Sequence, residues 1–551
     1  MNADSTLLNN LFPRPTHAHL LAAADTPLVL PHTRAGPTAQ STAALQSILK
    51  DNHKKWHIFF NEMGFHNHTA HAAIALWTLG ADESILHASY KENAAYQRPA
   101  FASPNDITKE NWKDHLGDEK YYQAYLSFFT SEIIDKGKTH ATMLEEYVFS
   151  ADANFDGGKN PQMLTRFCDG LLHPLIHAGY GVEFGLPGIF AEGLAQGAVH
   201  PGQDAGFIPS SWFTSPAASP VQGLVSRFAG AMGLSSTPGS NLKTDGKAIH
   251  SLSVLARVFA DDDLKFPSTI AGLEHVTEET PDPIAYTAVS KVLGNRIVKH
   301  VDAWLGNIED ELDLAAKVPE LLWANVLLYA VGGAIAGETA GEKDGFKADF
   351  FLMHLVTSSL FVSSHFATLH GNRPAQIALL KSYFSVSIGW YVSIGRAPLS
   401  TTSLQAFFDN TTSASITPPG QLPTPSSDAL PGEGHSAAVT PNPWLAITQS
   451  AIVHPDDHLP KLVRSLTEYA ARWGNTPAGN FADTELPGAE IIDGSLFVRA
   501  AGLSMGRVGW VREGQSVGAW DRIRSGGRVT MSGPEDKHGN KIAMPPRMGR
   551  S

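Results

Sequence analysis

Apolar residues at helical spacing recur along most of this chain, and no other feature limits its possible folds as much. In "TAALQSILKDNHKKWHIFFNEMG", Ala44, Leu45, Ile48 and Leu49 sit three and four residues apart, the spacing that lines one face of an α-helix. The pattern returns over residues 70–80, 120–150, 163–178, 250–260, 287–305, 310–337, 346–370 and 374–394, and strand-like alternation is scarce. The expected fold class is mainly α, one large helical domain with long loops and a small irregular or β segment at its C-terminal end. Its expected divisions are an irregular lead-in (1–40), a helical body (41–400), a Pro/Ser/Thr-rich linker or disordered insertion (401–443), and a last part (444–551). That last part holds the helix "HLPKLVRSLTEYAARWG" and short extended runs such as "SLFVRAAG". A second Ser/Pro/Gly-rich stretch, 205–240, reads as a long loop or lid with a short helix near 221–233.

Charge and composition remove several function classes. A net charge of −13 argues against a nucleic-acid partner, which needs a basic face for phosphates. Cys168 is the only cysteine, so the chain has no internal disulfide and no Cys-rich metal site; a structural thiol is the expectation. "MNADSTLLNNLFPRP" has no basic stretch leading into an apolar one, which predicts no secretory signal. "LLWANVLLYAVGGAIAG", Leu321 to Gly337, is short for a membrane span and carries Asn325, so a buried helix is expected. A cytoplasmic protein with no membrane partner is the consistent reading, and the oligomeric state stays open. The chain has no Walker A loop and no HExxH, and "GYGVEFG" has the wrong spacing for a dinucleotide fingerprint. "GLSMG" places Ser504 in a GxSxG pattern, but glycines follow where a nucleophile elbow needs a helix.

The 24 histidines stand out instead. "FHNHTAHAAIAL" holds His66, His68 and His71 just before an apolar run. His68 shares a helical face with Ala72 and Leu76, and His71 with Ala75 and Leu79, so either can point inward. In "RFCDGLLHPLIHAGYGVEFG", His173 and His177 are four apart, which puts two imidazoles on one helical face as cis metal ligands require. A pair of hydrogen-bonded core histidines has the same spacing. Pro174 needs a kink or a first-turn position. His354 is the lone imidazole of an apolar turn, and a hydrogen-bonded core histidine is the competing reading. Lys381 is the lone charge in "AQIALLKSYFSVSIGWY". Burial there would favour a neutral amine, able to form a Schiff base or, with carbon dioxide, a carbamate that binds metal as a carboxylate does. A lysine reaching out along the helix edge is the alternative. Imidazoles with one carboxylate-like oxygen suit iron(II), among other metals.

Taken together, "KDNHKKWHIFFNEMGFHNHTAHAAIALWTLGA", "LLHPLIHAGYGVEFGLPGIFAEGLAQGAVH", "DFFLMHLVTSSLF", "LLKSYFSVSIGWYVSIGRAPL" and "GWVREGQSVGAW" resemble the questin oxidase-like family. The resemblance implies oxidative ring cleavage of an anthraquinone-type aromatic polyketide by a mostly helical enzyme. It implies a non-haem Fe(II) site of four histidines and a carbamylated lysine, with dioxygen as co-substrate. Carried onto this chain, the metal residues are Lys381, His173, His177, His354 and either His68 or His71, with Glu183 accepting from a ligand imidazole. Trp77, Tyr180, Phe184 and Trp323 are candidates to flank a flat ring. An NADPH-dependent Baeyer–Villiger oxidase is the second reading, and a non-catalytic binding protein for a pathway intermediate the third.

Overall fold

The helical spacing is realised as helices. The computed structural model describes residues 3–16, 35–156, 160–202, 206–213, 247–265, 270–276, 282–340, 345–397, 399–411, 416–432 and 435–521. Among them there is no sheet, and three isolated β-bridges (Trp56 with Pro99, Phe59 with His66, Asp349 with Asp521) are the only strand-type pairings. One continuous core runs from Leu11 to Trp520.

Local chemistry explains the helix ends. In α1 (Ala39–Lys55), the Thr38 hydroxyl accepts from the Ser41 N–H at 3.0 Å while Ser41 reaches back to the Thr38 N–H, a capping box. Its expected face of Ala44, Leu45, Ile48 and Leu49 is buried. Helix α2 (Thr69–Leu79) starts where Asn67 Oδ1 accepts from the Thr69 N–H at 2.9 Å and stops at Gly80 in the left-handed region, φ 97°. Helices α3 (Met163–Phe184) and α4 (Pro187–Val199) form a hairpin, and their backbones meet at Gly193, where a Cβ would lie 2.3 Å from the Ala178 nitrogen. Helix α5 (Asp282–Leu305) lies against α8 (Arg373–Ser393), while α6 (Glu311–Ala340) and α7 (Phe350–Thr368) pass through the centre. These central helices are apolar and long enough to cross a membrane, but 78% and 89% of their apolar windows are buried in protein. Asn325 of α6 donates to Ser359 Oγ at 2.9 Å, which pairs its amide N–H inside the core. Helix α9 (Leu459–Trp473) is buried on every side from Leu459 to Tyr469.

Two expectations are corrected. The lead-in contains a helix, Ala3–Leu11, anchored by buried Leu11 and Phe12. "SLFVRAAG" is not a strand but the start of α10 (Leu496–Val508), whose buried Leu496, Phe497, Ala500, Ala501, Ser504 and Met505 follow a helical period. Ser504 is therefore mid-helix, 2.6 Å from the Tyr329 hydroxyl. The expected helix at 221–233 lies outside the described residues, as does most of the 205–240 stretch.

Glu132 makes acid stability testable. Burial opposes its ionisation, but Lys136, Lys138 and the Tyr147 hydroxyl outweigh burial and hold it at about 2, against an ordinary 4.5. A depressed carboxylate stabilises the fold above its unfolded value and loses that contribution as pH falls toward the folded one. Urea unfolding is expected to show Glu132→Gln less stable than wild type by on the order of 2–3 kcal/mol near neutrality, with the gap closing as pH falls from about 5 to about 2.

Candidate metal centre

The sequence "CDGLLHP" breaks α3. Asp169 is extended, and Gly170, Leu171 and Leu172 then take φ of 54°, 55° and 65°. Left-handed backbone costs a residue with a Cβ roughly 1–2 kcal/mol, so two leucines held there mark a conformation imposed by its surroundings. The helix restarts at His173, and Pro174 falls in the new first turn, where its missing N–H breaks no helical bond. The break turns the Gly170 carbonyl toward His173, whose Nδ1–H donates to it at 2.5 Å. At Gly170 itself, a Cβ would lie 2.3 Å from His200 Nε2 and 2.9 Å from His66 Cε1.

Opposite His173 stands His68, where α2 begins. Its Nδ1–H donates to the Asp457 carboxylate at 2.6 Å, and its Nε2 lies 2.7 Å from His173 Nε2. Burial, reinforced by Lys461, pushes the His68 imidazole down to about 3, although Asp457 opposes it; burial and the neighbouring cationic forms of His66 and His68 push His173 well below its usual range. Both rings are therefore neutral near neutrality. A neutral imidazole carries one proton, and each ring has it on Nδ1, held by an oxygen that can only accept. Two lone pairs thus face each other at 2.7 Å. Two cis nitrogens each about 2.1 Å from one metal ion stand about 3 Å apart, close to the separation of this pair.

Around the pair the pattern repeats. His354 Nδ1–H donates to the Phe350 carbonyl at 2.7 Å, and its Nε2 is buried with no hydrogen-bond partner. The His354 ring centre is 5.0 Å from that of His173. His458 Nδ1 is 2.8 Å from Asp457 Oδ1, so one carboxylate stands between two imidazoles. His68, Asp457 and His458 place one ligand-type atom each within 4.8 Å of one another. Lys461, one turn after Asp457, is buried, and its charge bears on His68, His71, His173 and His354 alike. Burial lowers the Lys461 ammonium, against Asp457 and Asp456. These donors fit a metal that takes neutral imidazole nitrogen, with lone pairs exposed and protons accounted for.

The other expected residues divide. His177 Nε2–H donates to Glu192 at 2.8 Å, leaving its Nδ1 to accept from His71 Nε2–H at 2.9 Å. His71 and His177 thus share one hydrogen bond that leaves His71 Nδ1 buried without a partner, and of the two N-terminal candidates it is His68 that faces His173. Glu192, which also takes His53 Nδ1–H at 2.6 Å, holds the position expected of Glu183. Glu183 instead pairs with Arg464, because it projects from α3 toward α9. Lys381 does not join the histidines. It runs along α8 to Asp302 of α5 at 2.7 Å and lies 5.4 Å over Trp212. Lys461 escaped sequence reasoning because "HPDDHLPK" opens an ordinary-looking amphipathic helix; its signal was two imidazoles and two carboxylates within the seven residues before a lysine. Tyr180 alone of the expected aromatics stacks on the cluster, 5.3 Å from His71. Trp77 packs on Phe184, and Trp323 on Phe481 and Phe497.

A profile of the questin oxidase-like family matches residues 65–466, which take in His68, His173, His354 and Lys461. A helical scaffold around a buried imidazole cluster thus serves an oxidoreductase. The chain belongs to the questin oxidase-like family. It is 29% identical over 374 residues to a Baeyer-Villiger oxidase of Pestalotiopsis microspora, covering 66% of this chain and 74% of that protein. It is 28% identical over 355 residues to a Baeyer-Villiger monooxygenase of Aspergillus aculeatus, covering 60% and 64%. The questin oxidase of Aspergillus terreus is 24% identical over 463 residues, covering 83% and 84%.

Gly170→Ala is expected to lower the melting temperature by at least several degrees, since the methyl meets His200 and His66 and the backbone is left-handed. Differential scanning calorimetry checks this; an unchanged transition would mean the break in α3 tolerates a side chain.

Proposed function

We propose that this chain is an iron(II)-dependent oxygenase that opens a ring of an anthraquinone-type aromatic polyketide, with dioxygen as co-substrate. The observation that carries the reading is the pair of unprotonated Nε2 atoms of His68 and His173, 2.7 Å apart in a buried site. His68, His173 and His354 would hold the ion, with His458 and Lys461 beside them. Bound there, iron(II) would supply the one-electron chemistry that ground-state dioxygen needs. The chain's own residues prepare that site. Asp457, the Gly170 carbonyl and the Phe350 carbonyl fix the three Nδ1 protons, so the rings cannot turn their lone pairs away. Burial keeps the imidazoles neutral and excludes water from the reacting atoms.

Lys461, rather than Lys381, is the lysine placed to carry a carbamate. Its ammonium would first give up one proton, and the free amine would then add to carbon dioxide, forming an N–C bond and releasing a second proton to solvent. The resulting anion would meet the surrounding imidazole cluster and offset part of a divalent charge. The relatives' names favour a second reading, a Baeyer–Villiger oxidase; on that reading the same substrate class would be oxidised with NADPH. The sequence has no dinucleotide fingerprint to support it.

Turnover of a hydroxylated anthraquinone under isotopically labelled dioxygen separates the two. The first reading expects label in a ring-opened product, no need for NADPH, and loss of turnover on iron chelation. It also expects Lys461→Met to lose at least about a hundredfold while Lys381→Met stays within about twofold. Strict NADPH dependence with indifference to chelation would establish the second reading in its place.

A further inference from the structure

On the far side of His173 from His68 lies a gap between two buried polar groups. Asp169 Oδ1 accepts from the Gly170 N–H at 2.8 Å, which leaves Oδ2. That atom and His200 Nδ1 face each other across 3.6 Å, too far for a hydrogen bond, and neither has a partner. Both residues are 7% exposed. Two unsatisfied buried groups so placed are destabilising unless something fills the gap. An oxygen about 2.8 Å from both fits between atoms 3.6 Å apart.

We propose that this gap is a binding slot for a phenolic hydroxyl of a polycyclic substrate, a reading that rests on the function proposed above. The carboxylate needs a donor and the ring N–H needs an acceptor, and a hydroxyl is both at one atom. A ligand carboxylate would be repelled by Asp169, and an ether could satisfy His200 alone. With its Nδ1–H donating, His200 accepts at Nε2 from His66 Nε2–H at 3.2 Å. The Arg166 guanidinium holds the His200 carbonyl and fixes the ring's position. The surroundings are flat. His200, His66 and His173 are near-parallel, with ring centres 5.4 and 4.0 Å apart at 15° and 8°. A ligand anchored in the slot and reacting beside His173 spans both ring steps, so one aromatic ring is too short. Gly170 and Leu171 at the slot's edge are only half-buried, which gives a way in.

Fluorescence titration of the purified full chain with a polyhydroxylated anthraquinone and with its fully O-methylated ether tests the slot. The wild type is expected to bind the hydroxylated compound at least about tenfold more tightly. Asp169→Asn presents a donor in place of the acceptor, and the preference is expected to fall to within about twofold while the ether binds at least as well. His200→Phe, read with a melting curve, is expected to lose the preference as well. Equal wild-type affinity for both compounds would mean that water alone fills the gap, and so would an undiminished preference in either variant; each overturns the slot and leaves the proposed function standing. Binding of neither compound overturns both.

Discussion

Two lone pairs facing each other inside a protein are an unfavourable contact that the rest of this structure is arranged to maintain. His68 and His173 could relieve it by protonation or by rotation. Burial opposes protonation, and the acceptors at each Nδ1 oppose rotation. Those acceptors come from distant parts of the chain: Asp457 from the turn before α9, and the Gly170 carbonyl from the break in α3. A cation between the nitrogens, as proposed, would turn this repulsion into ligation.

The scaffold's irregularities follow from this. A straight α3 would turn His173 elsewhere and place Pro174 where it would break the helix. Three left-handed residues correct both, at a conformational cost that the hairpin with α4 holds in place. The same break gives Asp169 and His200 their gap. The proposed metal pair and the proposed hydroxyl slot are therefore two results of one backbone event. Glu192 ties His53 and His177 together behind the cluster, so His177 is hydrogen-bonded at both ring nitrogens, where His68 and His173 are open at Nε2.

The helical class was legible because a period of 3.6 residues survives in single stretches, and α1 buries the face its sequence marks out. "SLFVRAAG" was misread because a short apolar run has no clear period until its neighbours at Ser504 and Met505 are counted. The histidines announced themselves by number and spacing. Which pairs with which did not, because His68 with His173 and His71 with His177 are relations between helices 105 and 106 residues apart in sequence. Lys381 drew attention as a lone charge, yet a lone charge on a buried helix can still reach an edge, and Asp302 meets it there. Lys461 was hidden by ordinary surroundings. Only the fold shows that "HPDDHLPK" faces the imidazoles.

The central claim is that the His68 and His173 nitrogens share one metal ion. Anaerobic titration of the metal-stripped chain with iron(II), followed by calorimetry, tests it most directly. One equivalent per chain is predicted, with affinity reduced at least about tenfold in both His68→Ala and His173→Ala and little changed in Lys381→Met. No saturable binding, or one equivalent bound as tightly by both histidine variants, would contradict the account.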